Sequence, residues 1–272
     1  MITIDIFGGL GNQLFQIFTL LSYSIVHNNK FYFKENIIYG NRKIIYWDNI
    51  FCYLQKYILI YEDHVCINEN SYTYTYLPKF SDNINIKFSG YFQSYKYFYN
   101  NYDEIYKIIN LDKIKQDIIN KYKINYENLV SLHFRIGDYI TLQDHHPILD
   151  INYYINSINK LIEDTGIDNW SIKYFFEEKD YNDVFDKIII LKKIFIYIDF
   201  ISVDTKMSDW EQLIIMSLCK HNIIANSTYS WGGAYLNNNK DKRIYYPSIW
   251  FGPSQNKDTR DLFPEIWNKV NV

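Results

Sequence analysis

The chain has 272 residues, of which 48% are hydrophobic and 22% charged, with a formal net charge of -3. That length points to about two domains of roughly 150 residues or fewer, and the composition supplies a core rather than a disordered, low-complexity chain. The slightly acidic balance argues against a nucleic-acid binder, which needs a basic face for phosphates, and leaves room for a small anionic ligand in a local basic cleft.

Residues 6 to 29 carry no formal charge. The stretch opens beside Asp5 rather than a basic cluster, contains Gly8, Gly9, Gly11, Asn12, Gln13 and Gln16, and lacks a small-residue cleavage site. It therefore reads as a buried strand, loop and helix of a cytoplasmic protein with no integral membrane segment, not as a leader or anchor. Ile2 to Phe7 forms the strand, and Leu14, Ile17, Phe18, Leu21 and Ile25 recur at helical spacing. Strands are expected at Tyr57 to Tyr61 and Ile86 to Phe92. Helices are expected over Ser94 to Ile109 and Leu111 to Tyr122, parted near Asn110. These elements make an N-terminal Rossmann-like lobe over residues 1–125.

A second lobe, residues 126–272, alternates more regularly. It predicts a strand over Leu129 to Phe134, a helix over Ile151 to Asp164 stopped by Gly166, a strand over Ile172 to Phe176, a helix over Tyr181 to Lys192 and a strand over Ile194 to Ile198. A helix after Met207 opens on a capping box, Ser208 to Glu211, and shows an apolar face of Trp210, Leu213, Ile214, Ser217 and Leu218. Strand Asn222 to Ala225 leads to a further turn and helix. Such alternation predicts an α/β fold, with two Rossmann-like lobes of parallel sheet facing a cleft and ligands beyond the strand C-termini.

Three cysteines, Cys52, Cys66 and Cys219, have neither CxxC nor histidine spacing, so they read as reduced thiols rather than a disulfide framework or zinc site. The strongest local signal is Ser131-Leu-His133-Phe-Arg135-Ile-Gly137-Asp138-Tyr139, where a buried strand runs into polar groups. Arg135 offers a planar, permanently charged fork suited to a diphosphate, and Gly137 allows close backbone approach. Taken alone, an Arg and Asp three apart at a strand end are more often a structural ion pair. Asn226, Ser227, Thr228 and Ser230 lie where a strand gives way to a helix, which suits an anion or simply a helix cap. Gly8-Gly-Leu-Gly11 falls short of a dinucleotide fingerprint, which disfavours a nicotinamide-dependent oxidoreductase.

Four ordered segments, from near residue 4 to about 252, resemble glycosyltransferase family eleven, the alpha-1,2-fucosyltransferases. His133 to Asp138 is similar to the family's His-x-Arg-x-Gly-Asp motif, and Gly8 to Gln16 to its N-terminal Gly-rich loop. Gly90 to Phe98 resembles its central Gly-Tyr-Phe-Gln-Ser segment, and Met216 to Tyr235 its C-terminal motif, closing at Pro247 to Phe251. The resemblance implies a GT-B arrangement, GDP-L-fucose as donor, inverting alpha-1,2 transfer to a galactose-like acceptor, and no metal or other cofactor. It makes the C-terminal lobe the donor side and the N-terminal lobe the acceptor side. Arg135 then supplies positive charge to the departing β-phosphate. His133 orients the base or ribose. Gly137, Asn226, Ser227, Thr228 and Ser230 join the donor site, and Asn12 and Gln13 face the fucose or acceptor. Asp138 is the leading base, with Asp144, His145 and His146 in reserve.

Two departures bear on the donor. Ile136 stands where the family often has a second arginine, and Trp231-Gly232-Gly233-Ala234-Tyr235 replaces a common Trp-Trp-Gly-Ala-Trp. They leave open another nucleotide-activated deoxyhexose. A non-catalytic glycan-binding module is a further alternative, opposed by the presence of Arg135 and the Ser-rich motif.

Overall fold

A computed structural model of the chain describes residues 1–34, 45–60, 64–81 and 83–272. They form two compact units, 1–116 with 258–265, and 117–257 with 266–272.

In the first unit, strand β1 (Ile2–Ile4) is buried throughout and leads through the Gly-rich loop into helix α1 (Leu10–His27). Gly8 makes that tight turn with φ 79, a left-handed conformation costly for any residue with a Cβ. Short strands β2 (Phe33–Lys34) and β3 (Ile58–Leu59) pair in parallel. Of the strand expected at Tyr57 to Tyr61, Tyr61 lies outside the described residues. Strands β4 (Val65–Asn68) and β5 (Ile86–Ser89) complete a parallel sheet of order β1-β5-β4.

The helix expected over Ser94 to Ile109 is shorter. Two 3-10 turns, Tyr95–Tyr97 and Tyr99–Asn101, precede α2 (Tyr102–Ile108). Tyrosine and asparagine are weak helix formers, and the Ser94 side chain accepts the Lys96 N–H at 3.3 Å, a local turn that competes with a helix. Asn110 adopts φ 53 and separates α2 from α3 (Leu111–Tyr122), as expected. Asp261, from the returning segment 258–265, accepts from Lys96 Nζ at 2.5 Å and from the Tyr74 N–H at 3.0 Å, while its carbonyl takes the Ser94 hydroxyl at 2.8 Å.

The second unit runs β6 (Leu129–His133), α4 (Ile151–Thr165), β7 (Ser171–Phe175), α5 (Tyr181–Ile194), β8 (Asp199–Ser202), α6 (Asp209–Leu218), β9 (His221–Ile223), α7 (Thr228–Tyr235), β10 (Ile244–Pro247) and β11 (Asn268–Val270). Its six strands are parallel in the order β11-β10-β9-β6-β7-β8. Numbered within the unit this is 3-2-1-4-5-6, a doubly wound sheet whose strand order reverses between β6 and β9. Asp150 caps α4 by accepting the Asn152 N–H at 2.9 Å, and Gly166 ends the helix at φ 69. The Ser208/Glu211 capping box of α6 is present, and Glu211 also pairs with Lys121 at 2.6 Å.

One strand is misplaced by the sequence pattern. Ile194 to Ile198 is not a strand: Ile194 ends α5, the Phe195 N–H still donates to Leu191 O at 2.8 Å, and β8 starts at Asp199. The buried residues of this apolar run are Ile188, Leu191, Phe195 and Ile198, a helical spacing hidden by the exposed isoleucines between them.

The departure at 231–235 is taken up by core packing. Trp231 is buried, stacks on Tyr235 at 4.7 Å and 10°, and lies 5.5 Å from the Trp267 ring. A Cβ on Gly233 would meet Met216 Cβ at 2.8 Å, so α6 and α7 approach too closely there for a larger residue.

His221 at the start of β9 is buried edge-on against Trp170, and its Nδ1 accepts the Arg243 N–H at 2.9 Å. Burial first, then Lys220 and Arg243, push its pKa from 6.5 down to about 4. An unfolded chain therefore binds a proton that the folded one refuses, and stability present above pH 6.5 is lost as pH falls towards about 4. Urea midpoints should drop across that window in the wild type and drop less in His221→Asn. An equal drop in both would remove His221 as a source of acid sensitivity.

Candidate active site

The sheet of the second unit brings two polar segments to neighbouring strand ends. The five residues of β6 are all buried, and they deliver His133 at the end of the strand. No hydrogen-bond partner meets its Nδ1 among the described residues. Its ring lies 5.5 Å from that of Tyr229, and burial, reinforced by Arg135, lowers its pKa to about 3. His133 is thus a neutral imidazole, able to donate or accept a hydrogen bond but not to act as a phosphate cation.

Two residues on, the Arg135 guanidinium is held by two carboxylates: Glu177 at Nη1 and Asp138 at Nη2. The ring of Tyr139 lies 5.1 Å from its Cζ. Glu177 sits just beyond β7 and also pairs with Lys179 at 2.8 Å. Burial pushes the Glu177 pKa up, but Lys179 and Arg135 outweigh it and hold the carboxylate below its ordinary value. Asp180 accepts the Gly137 N–H at 2.9 Å, and its own pKa is raised, chiefly by burial.

On the neighbouring strand, Asn226 follows β9. Its Nδ2 donates to Pro147 O at 2.8 Å and Trp250 O at 3.4 Å, while its Oδ1 meets no partner among the described residues. Ser227 is the N-cap of α7, its hydroxyl accepting the Tyr229 N–H at 3.3 Å, and Thr228 is the first residue of the helix. The Ser230 hydroxyl turns back to Ala225 O and Ser227 O, so it braces the cap. Tyr139 links the two segments by donating to Asn226 O at 3.0 Å.

The loop after Asp138 is fixed from both sides. His146 stacks on Tyr139 at 4.9 Å, and the N–H groups of Gly252 and Ser254 donate to His145 O and Asp144 O, each at 2.9 Å. Asp144 and His145 are exposed, and His146 is half-buried.

Asn12 and Gln13 belong to the other unit, in the first turn of α1. Asn12 Oδ1 accepts from Gln93 at 2.8 Å, and Gln13 donates to Gly8 O at 3.1 Å. Gln16 accepts the Phe7 N–H and donates to Gly90 O, both at 3.1 Å. The Gly-rich loop and the Gly90 to Phe98 segment are thereby tied together at the ends of β1 and β5. Neither Asn12 nor Gln13 caps α1, whose N-cap is Gly9.

Sequence reasoning missed Glu177, Asp180 and Glu69. Glu69 Oε2 accepts the N–H groups of Tyr91 and Phe92 at 2.8 and 3.0 Å, holding a turn in which Phe92 takes φ 51. The available signal was position: Glu177 lies directly past a strand of a parallel sheet, where such folds collect ligand-facing groups.

A doubly wound sheet with a buried histidine, a carboxylate-held arginine and a capped helix start at its switch point, in a chain that also holds a second parallel α/β unit, is a GT-B type of enzyme fold. Consistent with that fold, a mutant of Arabidopsis thaliana FUT1 solved with GDP superposes with a TM-score of 0.53 at 9% identity, covering 90% of this chain and 70% of that one. An alpha-1,2-colitosyltransferase of Escherichia coli is 28% identical, with 90% of each chain covered. The O-antigen biosynthesis glycosyltransferase WbnK of Escherichia coli is 32% identical over 53% of this chain and 49% of that protein. Residues 1–271 match Glycosyl transferase family 11, and the chain belongs to that family. It is a glycosyltransferase, as the four ordered motifs implied. Among the described residues no helix is long and apolar enough to cross a membrane.

Proposed function

We propose that the enzyme transfers L-fucose from GDP-L-fucose to a hydroxyl of a galactose-like acceptor in the cytoplasm, with inversion and an alpha-1,2 linkage. The observation that carries this reading is the meeting of the His133–Asp138 and Asn226–Ser230 segments at the switch point of the 3-2-1-4-5-6 sheet. The acceptor oxygen attacks the anomeric carbon as the bond from that carbon to the β-phosphate oxygen breaks. GDP leaves with the bonding electrons, and the acceptor proton passes to a carboxylate. Arg135 neutralises the charge that develops on the phosphate, a role that requires no metal. The backbone at Gly137 and the start of α7, with Asn226, Ser227, Thr228 and Ser230, frames the phosphates. Neutral His133 hydrogen-bonds the base or ribose. Asp138 takes the proton; its side chain is 48% exposed even while paired with Arg135. Asn12 and Gln13, in the unit assigned to the acceptor side, contact the sugar or acceptor.

A second reading keeps the chemistry and changes the sugar. The relative named as an alpha-1,2-colitosyltransferase covers nine-tenths of both chains, and Ile136 removes one cation common in the family. Release of GDP should be measured with GDP-fucose and with the corresponding colitose donor, with and without galactosides, and the product linkage read by NMR. Galactoside-dependent turnover of GDP-fucose with an inverted alpha-1,2 product supports the first reading. Turnover of the colitose donor alone replaces fucose by colitose, and turnover of neither overturns the proposed donor class.

A further inference from the structure

We infer that Glu177 is a built-in stand-in for the donor phosphate: it occupies Arg135 in the empty enzyme and must release it before a diphosphate can bind. The inference rests on the reading that Arg135 meets that phosphate.

A guanidinium grips an anion through its two Nη groups, or through one Nη and Nε. In this site Nη1 is taken by Glu177 and Nη2 by Asp138, and the Arg135 side chain is only 14% exposed. Buried that far, the cation needs a counter-charge whenever ligand is absent. The carboxylates of Glu177 and Asp138 supply it, and Glu177 is itself shared with Lys179. A diphosphate that is to reach the Nη groups of Arg135 meets a carboxylate already on each until one withdraws.

Glu177 is the group built to withdraw. Its Oε1 holds Arg135 and its Oε2 holds Lys179, a 60% exposed cation two residues away on the same turn. When phosphate takes Nη1, the Glu177 carboxylate keeps Lys179 as its partner and is not left unpaired. The exchange also screens ligands, because an anion has to offer Arg135 more than Glu177 does. A nucleoside diphosphate does so through further contacts with the base and the start of α7. Free pyrophosphate does not.

Removing the Glu177 charge at constant shape tests this. In Glu177→Gln the Kd for GDP, by titration calorimetry, should fall by about tenfold, the weight of one charge-assisted contact. Pyrophosphate, a poor competitor of the wild type, should gain by at least the same factor. Donor KM should fall, and kcat should fall with it because product GDP is retained; a loss of packing alone would raise KM. Guanosine, which carries no phosphate, should bind wild type and variant equally. An unchanged or weaker Kd for GDP overturns the inference, and a loss of guanosine affinity overturns it in favour of a ribose contact by Glu177. Arg135→Lys separates the two levels of argument. If that variant binds GDP as the wild type does, the phosphate role of Arg135 fails. If it binds more weakly while Glu177→Gln shows no gain, only the stand-in role fails. Circular dichroism and thermal melting of each variant guard against a folding defect.

Discussion

On the proposed mechanism Arg135→Ala should lower kcat/KM for the sugar nucleotide by about 10²- to 10³-fold, the usual cost of removing one preorganised group aimed at charge that develops in a transition state. The substitution deletes the cation that Glu177 and Asp138 share at the end of β6. A diphosphate then finds carboxylates with no guanidinium for which to exchange them, so KM rises as kcat falls. Arg135→Lys, which keeps the charge but not the planar fork, should land between the two. Steady-state kinetics with the donor varied, beside calorimetric titration of GDP, read both effects. A loss smaller than about tenfold in the alanine variant would show that another group carries the leaving phosphate.

Trp231→Ala should destabilise the protein by about 3–5 kcal/mol, the range for deleting a large buried aromatic side chain. Helix α7 is eight residues long and contains Gly232 and Gly233, so propensity does little to hold it and packing must. Trp231 supplies that packing against Tyr235 and Trp267, and Gly233 permits the close approach to Met216. The ring stack on Tyr235 and the contact with Trp267 are lost together with the buried area. Because α7 presents Ser227 and Thr228, the variant should also bind nucleotide less tightly at temperatures where it remains folded. Urea unfolding with a shared m-value measures the first effect. A loss below about 1 kcal/mol would mean that the site collapses around the missing ring.

Much of this was legible beforehand where a local cause sets the structure. Helix α3 begins and ends at the expected residues because Asn110 and the 3.6-residue pattern mark it, and α4 and α6 announce themselves through Gly166 and the Ser208/Glu211 box. The end of β6 was readable because an apolar strand stops at His133 and Arg135. Non-local causes stayed hidden. Whether Ile194 to Ile198 closes a helix or opens a strand depends on which isoleucines the sheet covers, and a continuous apolar run does not record that. The pairing of Arg135 with Asp138 was foreseen from three-residue spacing, but that with Glu177 spans 42 positions and follows from the adjacency of β6 and β7. Glu69 is tied to Tyr91 and Phe92 in the same way, through the pairing of β4 with β5.

The path of the chain between the two units bears on how the protein is made. Residues 258–265 return to the first unit, where Asp261 collects Lys96, Ser94 and the Tyr74 N–H, and the next few residues go back to add β11 at the margin of the large sheet. Translation runs from the N-terminal side, so a nascent chain halted at residue 257 has finished neither unit: one lacks the anchor for its Ser94 turn, and the other exposes β10 as an open edge.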